Sequence, residues 1–240
     1  MPHRYYVDLS ISCWDWLAGD EARHFCKVMR GKAGDTIVLF DGTGTFAHGI
    51  VESIHKEGIQ IRILETFADD VESPLRLTIA AALPKGDRQR FLIEKLAELG
   101  VARFVPVLME RSVARANDAV IQRLQRYVIE AAKQCGRNVL MEIAREVPIS
   151  KLNIETDVTK YILHPVALGN VGQTNARQVL AAPVYPDKIA ILVGPEGSFT
   201  DKEVTEAIRE GFIPLDLGKR ILRTETACIA AAALLLSAAG

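Results

Sequence analysis

From residue 75 onward, short apolar runs alternate with amphipathic segments, and this alternation constrains the fold more than any other feature. LRLTIAAAL (75–83) predicts a buried strand and RFVPVL (103–108) predicts the next one. Between them, Arg88–Leu99 has apolar residues at a helical period, and Gly100 follows as a helix-ending glycine. Strands that alternate with helices favour a mainly parallel sheet covered on both faces. The sequence therefore predicts an α/β domain over residues 75–240.

Later segments continue the same alternation. The pattern predicts an amphipathic helix at Val120–Cys135. It predicts strands at Tyr161–Leu163 and Ile189–Val193. A further helix is predicted at Asp201–Glu210, with Thr200 as N-cap and Glu203 as its capping-box partner.

The first 70 residues are β-rich and predict a separate small domain. Short β-branched segments are separated by Gly or charged residues, at Thr36–Phe40, His48–Ile54 and Ile59–Leu64. The acidic, proline-ended stretch Asp69–Pro74 predicts a linker between residues 1–70 and the second domain.

Gly42–Ala47 matches the dinucleotide fingerprint GxGxxA, which would indicate an oxidoreductase. That fingerprint requires a strand before it and a helix after it. Here DGTG at Asp41–Gly44 is a turn between two strands, because FAHGIVESI continues as a strand. The context favours a hairpin and argues against a nicotinamide-dependent enzyme.

Composition narrows the possible partners. The chain has 240 residues, of which 49% are apolar and 25% charged, with a formal net charge of −1. Nucleic acid would therefore have to be bound by a local basic face. Basic residues do cluster after strand ends, at Lys85, Arg88, Arg111 and Arg115. Such clusters are either solvated surface or a phosphate-binding rim.

The cysteines and the apolar segments indicate a cytoplasmic protein without a metal site. Cys13, Cys26, Cys135 and Cys228 are not spaced as zinc ligands, so reduced thiols are expected. The start of the chain has no apolar signal region. The apolar run at 227–240 is shorter than the roughly 20 residues of a membrane span and predicts a buried helix.

Three unusual loops follow predicted strands of the second domain: Leu163–Pro165, Val193–Ser198 and Leu217–Ala227. In open α/β sheets, ligands bind beyond the carboxyl ends of the strands. Each loop also has a purely structural interpretation: GPEG as a turn, His164 as a loop histidine, and Thr224 as the N-cap of an Ala-rich helix.

These loops carry a resemblance to a known family. ILVGPEGSFTDKEV and LGKRILRTETA, with LHP upstream, closely resemble the C-terminal region of the SPOUT-class RNA methyltransferases. Within that class the chain is most similar to the RsmE family, which methylates uracil N3 in 16S ribosomal RNA. The likeness extends to KGDRQRFLIEKLAELGV, ERSVAR, EAAKQCGR and, in the first domain, to HFCKVMRGKAGD with LFDGTG. Ser198 stands where the family usually has a second glycine, which puts only the fine geometry of that loop in doubt.

The resemblance implies a PUA-like β-barrel at 1–70 that binds RNA and a SPOUT domain at 75–240 with a C-terminal trefoil knot. It implies a homodimer in which the substrate pocket is shared between the protomers. The implied substrate is 16S rRNA of the small ribosomal subunit. No metal ion and no membrane association are implied. The implied cofactor is S-adenosyl-L-methionine, held by the three loops. Carried over motif by motif, the cofactor-binding residues are Leu163, His164, Pro165, Val193, Gly194, Pro195, Glu196, Gly197, Leu217, Gly218, Ile221, Leu222, Arg223 and Thr226.

Two of these residues are the candidates for catalysis. Uracil N3–H is weakly acidic, so a nearby cation that stabilises the uracil anion would help, and Arg223 is the candidate. Glu196 is its candidate orienting partner or proton acceptor. The predicted RNA contacts are Arg4, His24, Arg30, Lys85, Arg88, Arg111 and Arg115. Two alternatives stay open: a SPOUT enzyme acting on transfer RNA, and a non-catalytic RNA-binding protein.

Overall fold

The computed structural model describes residues 3–7, 14–68, 71–164, 174–175, 179 and 186–239. The chain divides into two compact units. The first unit combines Met1–Glu72 with Ile129–Leu140, and the second combines Ser73–Val128 with Met141–Gly240. No sequence signal marked residues 129–140 as part of the first unit.

The first unit is built on a five-stranded sheet with the order β1-β3-β4-β5-β2. Its strands are β1 (His3–Tyr6), β2 (Trp16–Ala18), β3 (Thr36–Phe40), β4 (Thr45–Ile54) and β5 (Gly58–Ala68). Strand β1 runs parallel to β3, and the other pairs are antiparallel. A short helix, α1 (Gly19–Arg23), continues into a π-helical turn at His24–Val28.

The core of this unit forms because alternate residues of the strands point inward. Tyr5 of β1 and Leu39 of β3 are fully buried, and Trp14 and Phe25, which lie outside the strands, pack in the same cluster. Strand β4 follows the Asp41–Gly44 turn and pairs antiparallel with β3, which confirms the hairpin and removes the dinucleotide interpretation.

The second unit contains a parallel sheet with the order β11-β13-β10-β12-β6-β7-β8, and β9 also pairs with β7. Its strands are β6 (Arg76–Ala81), β7 (Arg103–Leu108), β8 (Glu142–Ile143), β9 (Val147–Pro148), β10 (Thr159–Leu163), β11 (Thr174–Asn175), β12 (Lys188–Val193) and β13 (Ile213–Asp216). Within the described residues, every pairing in this sheet is parallel. The predicted α/β fold with a mainly parallel sheet is confirmed.

The helices are α2 (Arg88–Leu99), α3 (Asp118–Cys135), α4 (Asp201–Arg209) and α5 (Thr224–Ala239), with a 3₁₀ turn at Ile149–Lys151. Helix α2 ends at Gly100, which takes a left-handed conformation with φ of +95° as predicted. Helix α4 begins with the predicted capping box of Thr200 and Glu203. Helix α5 packs on α2, β6 and β12, so the apolar C-terminal run is a buried helix. Among the helices that the structure describes, none has the length and apolar character that a membrane crossing needs.

The register of three adjacent strands brings the three unusual loops together. Leu163, the last residue of β10, lies opposite Val193 of β12 on one side and Leu215 of β13 on the other. Because the strands are parallel and end at the same level, their carboxyl ends lie side by side. The trefoil knot implied by the resemblance stays a prediction.

Candidate active site

A cavity of about 310 Å³ lies at the carboxyl ends of β10, β12 and β13. Its volume is at the lower end of what small-molecule sites enclose. Its wall is formed by Leu163, His164, Val193, Gly194, Pro195, Glu196, Gly197, Ser198, Phe199, Leu215, Asp216, Leu217, Gly218, Arg220, Ile221, Leu222, Thr224 and Ala227. The structure therefore brings the three loops that the sequence singled out into one site.

A larger cavity of about 440 Å³ lies at the opposite, amino ends of the strands. Its polar lining is occupied by ion pairs: Arg103 Nε lies 3.1 Å from Glu142 and Lys188 Nζ lies 2.6 Å from Asp157. Ligands of open α/β sheets bind at the carboxyl ends. The smaller cavity is therefore the candidate site.

The loop after β12 has a backbone shape that few residues permit. A Cβ on Gly194 would lie 2.9 Å from the ring of Phe199, so only glycine fits without a shift. Ser198 takes a left-handed conformation with φ of +62°, and its N–H donates to the carbonyl oxygen of Pro195 at 2.9 Å. That conformation explains the glycine usual in the family, because a left-handed backbone is strained for other residues.

Three side chains from other parts of the second unit fix this loop. Arg111 Nη1 donates to the carbonyl oxygen of Gly197 at 2.8 Å. Thr224 Oγ1 donates to the carbonyl oxygen of Gly194 at 2.9 Å. The guanidinium of Arg88 pairs with the Glu196 carboxylate. The loop is thus held in place before any ligand arrives, which lowers the entropic cost of binding.

His164 lies in the wall with its ring edge against Phe199, at 6.2 Å between ring centroids. Its Nδ1 is buried and makes no hydrogen bond to any residue that the structure describes. Burial lowers the pKa of the imidazole, although Asp201 opposes this shift, so the ring is neutral near pH 7. A buried ring nitrogen without a partner fits a site where a ligand supplies the missing hydrogen bond.

The wall suits S-adenosylmethionine in its chemistry. Apolar side chains of Leu163, Leu217 and Leu222 suit an adenine ring, and His164 Nδ1, which has no partner among the described residues, suits a polar contact. Glu196, which is paired with Arg88, and Asp216, which accepts from the Gly218 N–H, also lie in the wall, and carboxylates at this position favour a cationic ligand. Among the described residues there is no cluster of side chains that would hold a metal ion.

The loop after β13 is open to solvent. Gly218 has a φ of +118°, and its N–H donates to Asp216 Oδ1 at 2.8 Å. Ile221 lines the cavity and yet is 92% exposed. Arg223 and Thr226, both predicted cofactor contacts, are exposed and are not part of the cavity wall. Pro165, a further predicted contact, lies outside the described residues.

Thr224 does not act as the predicted N-cap. Helix α5 begins at Thr224 itself, and the N–H of Ala227 donates to the carbonyl oxygen of Arg223 at 2.8 Å. Arg223 therefore occupies the N-cap position. The Thr224 hydroxyl is free for the Gly194 bond because it is not needed to cap the helix.

The predicted RNA contacts fall into different environments. In the first unit, Arg4 is half-buried, lies 4.9 Å from the centre of the Phe40 ring and donates to the carbonyl oxygen of Arg137, and burial lowers its pKa. His24 is half-buried against Tyr5. Arg30 is exposed, with a φ of +54°.

In the second unit, Lys85, Arg111 and Arg115 are exposed and Arg88 is half-buried, and each of the three arginines has a polar partner. Arg115 Nε donates to Glu146 at 2.8 Å. Arg88 and Arg111 hold the loop after β12. Arg111 and Arg115 are surface residues, as the sequence pattern indicated, but the pattern contains no record of the distant partners of the three arginines.

Sequence reasoning missed part of the wall. Phe199, Leu215, Asp216, Arg220 and Ala227 line the cavity although they are absent from the predicted cofactor-binding set, as are Ser198 and Thr224. The available signal was proximity, since each lies within a few residues of a motif glycine or of RTETA.

The fold and the site define a class of protein: the chain is an RNA methyltransferase. Residues 71–236 match the family model of the RNA methyltransferase domain, and residues 17–64 match that of the RNA methyltransferase PUA domain. The predicted PUA-like first domain is thereby confirmed.

Within this class, the chain belongs to the ribosomal RNA small subunit methyltransferase E family, as its resemblance to RsmE indicated. It is 31% identical to the member from Buchnera aphidicola (from Acyrthosiphon pisum), over 95% of this chain and 90% of that protein. It is 33% identical to the member from Synechocystis, over 84% of this chain but only 65% of the length of that relative. The Neisseria gonorrhoeae member, solved bound to S-adenosyl methionine, matches with a TM-score of 0.81 and 31% identity, over 99% of this chain and 98% of that one. The predicted cofactor is thus the one that this relative holds.

Proposed function

We propose that this protein transfers a methyl group from S-adenosyl-L-methionine to N3 of a uridine in 16S ribosomal RNA of the small subunit. One observation carries the proposal: the three family loops converge on a single cavity, and the loop after β12 is fixed by Arg88, Arg111 and Thr224. Relatives at about 30% identity are named ribosomal RNA small subunit methyltransferase E.

Cofactor binding is assigned to the cavity wall. When bound, S-adenosylmethionine supplies a methyl group that its sulfonium already activates for transfer. The chain contributes the fixed loop after β12 and the neutral His164, whose Nδ1 has no partner within the described part of the chain and so supports a polar contact. A neutral ring here avoids the repulsion that an imidazolium would exert on a cationic ligand.

Arg223 is assigned to the uracil. It follows Leu222 and precedes Thr224, which both line the cavity, so its backbone lies at the cavity edge while its side chain is exposed. A cation at the mouth of the site would stabilise the negative charge that develops on the base when N3 loses its proton. Glu196 is the candidate orienting group or proton acceptor, because it lies in the wall with its side chain 39% exposed.

RNA binding is assigned first to the exposed cations. Lys85 and Arg30 are exposed and suit contacts with phosphates, in which release of counterions supplies sequence-independent affinity. Arg4 and His24 of the PUA-like unit are half-buried, and they suit RNA contacts closer to the protein surface than those of the exposed cations. We also propose that the protein works in the cytoplasm. We propose that it is a homodimer, because Ile221 in the wall and Leu234 of α5 are exposed apolar side chains that a second copy would cover.

The test is methyl incorporation from labelled S-adenosylmethionine. The substrates are unmethylated small ribosomal subunits, naked 16S RNA and transfer RNA, with the modified base identified by mass spectrometry. The expected product is 3-methyluridine in the small subunit or its RNA. Label in transfer RNA alone would show that the substrate is transfer RNA and not 16S RNA. If calorimetry detected no cofactor binding, the enzymatic function would be rejected.

A further inference from the structure

A single guanidinium faces two carboxylates at the carboxyl edge of the sheet. Arg88, the first residue of α2, pairs with Glu196 in the loop after β12. The same Arg88 Nη1 lies 3.7 Å from Glu225 Oε1 in the first turn of α5. Three segments that are distant in sequence thus meet through one side chain.

Glu225 is the unusual member of this group. Its side chain is only 6% exposed, and its Oε2 is buried without a hydrogen bond to any described residue. Burying a carboxylate is unfavourable unless it is paired and hydrogen-bonded. The start of α5 offsets part of this cost, since the helix dipole favours negative charge at its N-terminus. A buried charge that is only partly satisfied indicates a function beyond stability.

The geometry explains what that charge does. Glu225 does not line the cavity, whereas Glu196 does. Arg88 stands between them, half-buried, with its charge already directed at two acids. An arginine in this arrangement is less available to RNA phosphates than an exposed one such as Arg30.

We propose that Arg88 and Glu225 are positioning residues for the reaction and that Arg88 is not an RNA contact. Glu225 holds the guanidinium from the protein interior, and the guanidinium holds Glu196 at the cavity wall. With two acids around it, Arg88 keeps a partner if Glu196 turns to the substrate or accepts a proton. The inference rests on the proposed function, in which Glu196 acts at the methylation site.

The variants are Arg88→Gln, Arg88→Lys, Glu225→Gln and the double variant Arg88→Gln with Glu225→Gln. Lys95→Gln is the matched control, because Lys95 lies on the same helix α2 and its ion pair in the described structure is with the nearby Glu98. Each variant is measured for cofactor affinity by calorimetry, RNA affinity as a function of salt, single-turnover rate and melting temperature.

The single-turnover rate of Arg88→Gln is expected to fall about 10- to 100-fold, as for the loss of a hydrogen bond to a charged group. Its RNA affinity and salt dependence should stay at wild-type values. Arg88→Lys should recover part of the rate, since it keeps the charge but not the fork that reaches both acids. The double variant should be no slower than Arg88→Gln, because Glu225 acts through Arg88.

Glu225→Gln separates positioning from structural support. Removing a partly satisfied buried charge should leave the melting temperature unchanged or raise it, while the rate falls. A lowered melting temperature with an unchanged rate in the folded protein would overturn the inference.

A different result for Arg88→Gln would also overturn the inference: weaker RNA binding with an unchanged single-turnover rate. The slope of log RNA affinity against log salt concentration would then fall in magnitude by about one. Failure of the proposed function looks different, because the wild-type protein itself would then methylate no ribosomal RNA.

Discussion

The hydroxyl of Thr224 donates a hydrogen bond of 2.9 Å to the carbonyl oxygen of Gly194. This bond joins the first residue of α5 to the loop after β12, two segments that are 30 positions apart in sequence. Both residues line the cavity. The bond therefore fixes two of the three cofactor loops relative to one another. Removing it should weaken the binding of the cofactor.

Replacing Thr224 with valine tests this link, since valine has the same shape without the hydroxyl. The affinity for S-adenosylmethionine should fall about fivefold, which corresponds to the net value of about 1 kcal/mol for one hydrogen bond. Isothermal titration calorimetry measures this change. Thr224→Ser keeps the donor and should bind nearly as the wild type does. Equal affinities of the valine and wild-type proteins would show that the bond does not organise the site.

Gly194→Ala should distort the loop, because the added Cβ would lie 2.9 Å from the Phe199 ring. Overpacking of this kind costs about 1–3 kcal/mol. We expect a lower melting temperature and weaker cofactor binding. Combining it with Phe199→Leu, which makes room for the methyl group, should recover part of the lost melting temperature. A combined variant no more stable than Gly194→Ala would contradict the proposed clash.

Stability should depend on pH through His164. Burial lowers the folded-state pKa of His164 from its ordinary value of 6.5, so the unfolded chain binds the proton more readily. The stabilisation is therefore complete above pH 6.5 and is lost as the pH falls through the lower folded-state pKa. Urea unfolding at a series of pH values should show a shallower acid-side decline for His164→Gln than for the wild type. His55→Gln is the control, because His55 is exposed. If stability declined with the same slope in His164→Gln as in the wild type, His164 would not be the source of the pH dependence.

Arg223→Ala should slow methyl transfer more than it weakens cofactor binding. If the guanidinium stabilises the uracil anion, the rate should fall about 100-fold or more, as for the loss of one group that stabilises developing charge. Single-turnover methylation measures this rate. The matched control is Arg209→Ala, at the exposed end of α4. Unchanged turnover in Arg223→Ala would remove its proposed part in the reaction.

Local pattern was sufficient for much of the fold. Helical periodicity and a C-terminal glycine defined α2 to the residue, and the capping box of Thr200 and Glu203 defined the start of α4. Both depend on contacts within a few residues of the chain, which is why the sequence by itself determined them. The motif glycines likewise marked the cavity, since backbone shape at Gly194 is a property of the residue type as much as of its neighbours.

The strand order and the partners of the charged side chains were decided only by the tertiary structure. Leu163 lies between Val193 and Leu215 because the sheet places β10 between β12 and β13, an order that no local pattern contains. No local pattern indicated that Arg88 and Arg111 bind Glu196 and Gly197, because these partners are more than 80 positions away. The free energy of a charged side chain depends on what the fold brings within a few ångströms of it, and that information exists only once the chain has folded.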